Sequence, residues 1–225
     1  RRTSEAASVF NVSLDPTELM DSSGGYYAYA GSLTTPTCNP VVTWVVMAEV
    51  LTITTSALDN FHDKTVDDDG HLKEHGNFRP LQPRGGRTVY MTPGVDTFAC
   101  APTPAQPAFS CEEADITWQL AQAHFHWGRD ASEGSEHFLE GRQYPLEMHF
   151  VHFNAKHADL TAALASGESD ALLVVGQLFK VDDTAAMRPA LEAIAAGLGQ
   201  RDLDSSSATA SELDISLNPA ELIDS

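Results

Sequence analysis

Gln122-Ala123-His124-Phe125-His126-Trp127 is the stretch on which the reading of this chain turns. On a β-strand, side chains two apart point to the same face. Gln122, His124 and His126 therefore share one face, and Phe125 and Trp127 take the other. A second stretch, Glu147-Met148-His149-Phe150-Val151-His152-Phe153, repeats the pattern. Here Glu147, His149 and Val151 lie on one face, with Met148, Phe150 and His152 opposite, so His149 and His152 cannot serve one site together. An isolated histidine in a strand is ordinarily a packed or solvated side chain. Four in two apolar strands, two of them on one face, point instead to a metal site. Three imidazoles and no thiolate suit zinc with a fourth position open for water. Copper, nickel and iron also accept imidazole, so the ligand set identifies a site more firmly than its metal.

Working outward, β-branched and apolar runs predict strands at residues 41–46, 51–54, 116–127, 146–153 and 172–181, with a shorter one at 87–90. One helix is expected over residues 188–198. Pro189 suits its first turn, Leu191, Ile194 and Leu198 recur at helical spacing, and Gly199 ends it. Residues 1–25 are polar and turn-like. The stretch 59–76 is charged, and within it Asp67-Asp68-Asp69-Gly70 marks a solvated loop. Residues 92–115, rich in Pro and Ala, read as a connector. The expected class is mainly β.

Bulk composition narrows the function. The chain of 225 residues carries 32 acidic and 13 basic side chains, a net charge of −19. A protein that tracks nucleic-acid phosphates needs the opposite sign. No apolar run approaches the ~18 residues of a membrane-spanning helix, and nothing at residues 1–25 has the form of a signal peptide. Asn11-Val12-Ser13 is a glycosylation sequon, usable only in a secreted protein. Three cysteines, Cys38, Cys100 and Cys111, are spaced unlike a thiolate metal site. Residues 11–22, Asn-Val-Ser-Leu-Asp-Pro-Thr-Glu-Leu-Met-Asp-Ser, recur at 214–225 as Asp-Ile-Ser-Leu-Asn-Pro-Ala-Glu-Leu-Ile-Asp-Ser. Such a repeat suggests one unit, plus a small overlap, of a tandem array.

Several motifs together resemble the alpha-class carbonic anhydrases. His124-Phe125-His126-Trp127-Gly128 resembles the family's first zinc motif, and Gly134-Ser135-Glu136-His137 follows at the family's distance. Residues 147–154 resemble the strand of the third ligand. Tyr29-Ala30-Gly31-Ser32-Leu33-Thr34-Thr35-Pro36 and Val42-Thr43-Trp44 resemble the substrate-pocket loop and its following strand. Asn77-Phe78-Arg79-Pro80-Leu81-Gln82-Pro83 resembles a C-terminal segment.

The resemblance implies a large twisted, mostly antiparallel sheet with short surface helices. It implies Zn2+ on His124, His126 and His149, with Gln122 and Glu147 orienting the imidazoles from behind. Thr34 is the expected gatekeeper hydroxyl, giving its proton to Glu136. Leu33, Thr35, Val42, Trp44, Val151 and Val174 are the expected pocket residues, although for the five apolar ones the sequence alone favours ordinary core packing. The implied reaction is reversible hydration of carbon dioxide to bicarbonate by attack of zinc-bound hydroxide. A carbonic anhydrase-like binding or scaffold module with little activity is the alternative. In secreted relatives a cysteine at the position of Cys38 pairs with one in the N-terminal region. A bridge to Cys100 or Cys111, in an extracellular or otherwise oxidising compartment, is therefore implied, and a local Cys100–Cys111 bridge is the rival.

The order departs from the family, in which the histidine motifs precede the Ser-Leu-Thr-Thr loop. Here residues 1–91 resemble the family's C-terminal part and 116–225 its central part, within one expected domain, 1–225. The family's N-terminal stretch and its proton-shuttle histidine have no counterpart. A circular permutation, a window cut from a tandem polyprotein, or ordered segments joined across a gap would each produce this order. The second makes adjoining repeat units of the same polypeptide the expected partners.

Overall fold

The computed structural model describes residues 16–64, 71–93, 102–103, 106–111 and 116–199. The second copy of the repeat, the sequon, the 67–70 loop and Cys100 fall outside them, and for residues 102–111 only the backbone is described. A 3-10 turn, Pro16–Leu19, leads into β1 (Gly25–Gly31), β2 (Val42–Met47) and β3 (Leu51–Ile53). Helices α1 (Thr55–Lys64) and α2 (His71–His75) follow, then β4 (Tyr90–Pro93), β5 (Pro102–Thr103) and β6 (Gln106–Cys111). The long strands β7 (Ile116–Trp127), β8 (Leu146–Asn154) and β9 (Leu172–Val181) carry the centre, with α3 (Leu160–Ser166) before β9 and α4 (Pro189–Gly199) after it.

These strands form one sheet in the order β4-β1-β2-β9-β8-β7-β6-β5, with β3 also on β9. The class is mainly β, as expected. Pairing is antiparallel except where β2 and β3 lie parallel to successive halves of β9. The two halves of the chain thus meet in the middle of the sheet, where Val42–Val46 runs beside Leu172–Gly176.

The sheet has two differently used faces. On one, Phe125, Trp127, Met148, Phe150, Val175 and Phe179 are buried beneath α1 and α4, which contribute Leu58, Phe61, Leu191 and Ile194. Each such side chain, moved fully out of water, contributes roughly 1.5–3 kcal/mol. The other face holds a smaller cluster, including Val42, Trp44, Val151 and Val174, beside the histidines. A register shift between Leu120 and Gln122 sets which residues face which way. Before it, Trp118 packs into the main core; after it, Ala123, Phe125 and Trp127 do. One extra residue in a strand changes the phase of the alternation. Without it, Trp118 would share a face with His124 and His126.

Several elements differ from the sequence reading. Residues 55–64, to which the sequence reading assigned no element, form α1, because Ala57, Leu58 and Phe61 are spaced to bury one helical face against the sheet. The short strand expected at 87–90 lies at Tyr90–Pro93, where it completes the antiparallel edge against β1. The stretch read as a connector contains β5 and β6, which extend the sheet beyond β7. Packing against the sheet decides the first, and strand pairing the other two.

Candidate metal centre

β7 and β8 pair antiparallel with His124 directly opposite His149, and His126 opposite Glu147. The ligand atoms of His124, His126 and His149 all lie within 4.8 Å of one another. His126 Nε2 and His149 Nδ1 are 3.1 Å apart.

The remote nitrogen of each ring is held by an acceptor. His124 Nδ1 donates to Gln122 Oε1 at 3.0 Å, His126 Nδ1 to the Asn77 carbonyl at 2.9 Å, and His149 Nε2 to Glu147 Oε1 at 2.6 Å. An imidazole that donates from one nitrogen offers a lone pair from the other, so three lone pairs converge. Burial, then the neighbouring His149 and His126, pushes the His124 pKa down to about 2. Burial followed by His149 likewise lowers that of His126. Both rings are therefore neutral near pH 7, the form that binds metal.

Two facing lone pairs at 3.1 Å repel unless a cation sits between them. Tetrahedral zinc with Zn–N of ~2.0–2.1 Å sets its nitrogens roughly 3.3 Å apart, close to the observed gap. The Oε2 atom of the buried Glu136 lies 3.5 Å from His126 Nε2. It has no hydrogen-bond partner among the described residues. An orphaned carboxylate oxygen aimed at converging lone pairs fits a bound cation better than an empty cluster. The donor set and its spacing suit zinc.

Behind the cluster, Glu147 is fully buried. Its Oε2 accepts the backbone N–H groups of Glu136 and His137 at 2.8 Å each, and its Oε1 accepts from His137 Nδ1 at 2.6 Å as well as from His149. Burial alone would raise its pKa, but His137 and His149 outweigh burial and hold it well below the usual carboxylate range. Gly176, opposite His149 on β9, makes room for this carboxylate: a Cβ there would stand 3.1 Å from Glu147 Oε1. His137, Glu147 and His149 also form a compact trio. Separations of 2.6 Å between their ring nitrogens and one oxygen are hydrogen bonds and leave no room for an ion.

A cavity of about 270 Å³ opens beside the imidazoles. Leu33, Thr34, Thr35, Trp44, Val151 and Val174 all line it, together with the three histidines and Gln122. Val42 does not; it is buried behind the wall in the smaller cluster. His152 points away from the cluster and is buried among the backbone groups of Leu173 and Phe150. Glu136 Oε1 accepts the Arg79 amide at 2.7 Å. The expected Thr34 hydroxyl is not on its Oε2. Cys38 forms no disulfide among the described residues.

Sequence reasoning assigned no role to Asn77, Tyr29 or His137. Asn77 clamps β7 four ways: its carbonyl takes His126, its N–H donates to the Trp127 carbonyl at 3.0 Å, its side chain accepts from Trp127 N at 2.8 Å, and its side-chain amide donates to the Phe125 carbonyl at 2.8 Å. A 2.7 Å hydrogen bond joins the Tyr29 hydroxyl to His137 Nε2. No spacing rule reveals contacts between residues this far apart in sequence. His137 alone carried a signal, as a histidine next to Glu136.

Residues 2–93 and 97–224 match the eukaryotic-type carbonic anhydrase family. The chain belongs to that family. Among curated proteins it is similar to carbonic anhydrase 7 of Mus musculus and of Homo sapiens, each 42% identical over 66 residues, 29% of this chain and 25% of the relative. It is also similar to mitochondrial carbonic anhydrase 5A of Rattus norvegicus, 38% identical over 79 residues, 32% of this chain and 26% of that protein. These alignments span about a quarter of the length of the relatives. The family match breaks at residues 94–96, within the stretch 92–115 read from the sequence as a connector.

Proposed function

We propose that this protein catalyses the reversible, zinc-dependent hydration of carbon dioxide to bicarbonate. The observation that carries the reading is the convergence of three imidazoles whose outer nitrogens are each held by Gln122, Asn77 or Glu147. His124, His126 and His149 would hold Zn2+, which would act as a Lewis acid and activate water for attack on carbon dioxide, carbonic anhydrase being the standard case of that effect.

The chain's own residues supply the rest. Leu33, Trp44, Val151 and Val174 form an apolar wall against which carbon dioxide, which carries no charge, can sit without losing hydrogen bonds. Thr34 and Thr35 place hydroxyls on the same cavity. Glu136, with one oxygen committed to Arg79 N–H, has the other free to take the Thr34 proton. Thr34 would then only accept hydrogen bonds, which orients the attacking oxygen. Bicarbonate, being charged, leaves the apolar wall for water.

The reading takes 1–225 as one domain, with adjoining repeat units of the same polypeptide as partners. It sets the protein in an extracellular or otherwise oxidising compartment, where the Asn11 sequon and the Cys38 bridge implied by the resemblance would be used; non-reducing peptide mapping tests the bridge. The decisive experiment measures zinc content and stopped-flow carbon dioxide hydration for the native chain and His124→Ala. One zinc per chain and metal-dependent hydration are expected, both lost in the variant. Full zinc occupancy in His124→Ala, or hydration that survives chelation, overturns the reading.

A further inference from the structure

The turn before β1 rests on a seat built by the far end of the chain. Leu19 is completely buried and Met20 nearly so, within the core cluster that contains Leu191, Ile194 and Leu198 of α4. The Asp21 amide donates to Gln177 Oε1 at 3.0 Å, and Arg188 Nη2 donates to the Asp21 carboxylate at 2.8 Å. Gln177 is itself fully buried and donates to the Glu49 carbonyl at 2.7 Å. The seat therefore recognises a short pattern: an apolar pair followed by an aspartate.

That pattern occurs a second time. Pro219, Glu221, Leu222, Asp224 and Ser225 repeat Pro16, Glu18, Leu19, Asp21 and Ser22, with Ile223 in place of Met20 and Ala220 in place of Thr17. Ile for Met keeps an apolar side chain of similar volume, a change that cores tolerate well. Each group that engages the seat has a chemical equivalent: Leu222 for Leu19, Ile223 for Met20, and Asp224 for the carboxylate on Arg188.

Reach is no obstacle. Roughly 20 residues separate Gly199 from Pro219 and span up to about 70 Å when extended. The 11 residues of α4 measure only about 16 Å along the axis.

We propose that the seat formed by α4, Arg188 and Gln177 is the docking site of residues 219–225 of the same chain, which exchange there with residues 16–22. The seat has two interchangeable occupants, one tethered through β1 and one through α4. The tether through α4 keeps the second occupant at high effective concentration. This inference does not depend on the metal site or on the reaction.

Two experiments on the full chain test it. In the first, thermal unfolding is followed for Leu19→Asp, Leu222→Asp and the double variant. Interchangeable occupants predict that either single change lowers the midpoint by less than about 3 °C and that the double lowers it by about 10 °C. A Leu19→Asp loss as large as that of the double variant overturns the proposal. The second avoids destabilised variants. With Cys38, Cys100 and Cys111 all changed to Ser, Arg188→Cys is combined with Asp224→Cys, or with Asp21→Cys as the control. A 188–224 bridge within one monomer is the expected result. Bridging in the control alone overturns the proposal, and 188–224 bridges found only between two molecules overturn its same-chain part.

Discussion

At the scale of single residues, the charge state of Glu147 is central. It is an ionised carboxylate buried completely and supported by four donors. Glu147→Gln removes the charge that sets the His149 tautomer, and zinc affinity measured by chelator competition should fall about 10- to 100-fold. Thr34→Ala should retain zinc yet lower kcat for hydration, because the cavity loses the hydroxyl that orients attack. Unchanged kcat would remove Thr34 from the mechanism. His152 makes a prediction about stability. Burial lowers its pKa from 6.5 to about 3, so between those values the unfolded chain binds a proton that the folded chain refuses. Stability from this group is complete above pH 6.5 and is lost as pH falls toward about 3, by up to roughly 1.4 kcal/mol per pH unit. His152→Gln, which does not titrate, should flatten the urea-derived stability profile between pH 6.5 and 5 by about 2 kcal/mol relative to the native chain. Parallel profiles would show that His152 is protonated in the fold.

At the scale of elements, the link between α2 and β7 is the sensitive point. Gly76 ends α2 with φ of +70° and donates to the Leu72 carbonyl at 2.8 Å. A Cβ there would fall 2.1 Å from the Trp127 carbonyl oxygen. Gly76→Ala must therefore move Asn77, whose N–H donates to that same oxygen at 3.0 Å and whose own carbonyl holds His126. The expected loss exceeds about 2 kcal/mol in urea unfolding, accompanied by weaker zinc binding. Native zinc affinity in a destabilised variant would show that the Asn77 clamp is not transmitted to His126. The strands β8 and β9 and the helix α4 were legible in the sequence almost to the residue, because each is a long, regular apolar pattern. Helix α1 was not, since its charged face was read in place of the Ala57, Leu58 and Phe61 stripe.

At the scale of the whole molecule, the two halves of the chain build the pocket together around histidines that come from the second half alone. Leu33, Thr34 and Trp44 meet His124, His126 and His149 because β2 pairs with β9. Among the described residues lining the cavity, the three histidines are the only imidazoles, and in the proposed enzyme all three are committed to the metal. Proton release should then depend on added buffer. Stopped-flow hydration is expected to rise severalfold with imidazole at constant pH and ionic strength. A rate that is already fast and indifferent to imidazole would point to a proton path outside this cavity.

The sequence by itself determined the class of the fold, the face on which Gln122, His124 and His126 stand, the opposite facing of His149 and His152, and the family motifs. All of these depend on local periodicity or on short contiguous patterns, which a linear chain displays directly. Only the tertiary structure decided that the bulge at Leu120–Gln122 puts Trp118 in the core, that Asn77 holds His126, that Glu147 gathers His137 and His149, and that Val42 stands behind the cavity wall. Most of those facts rest on pairings between residues distant in sequence, and all on packing and hydrogen-bond satisfaction that choose among arrangements the local pattern leaves equal.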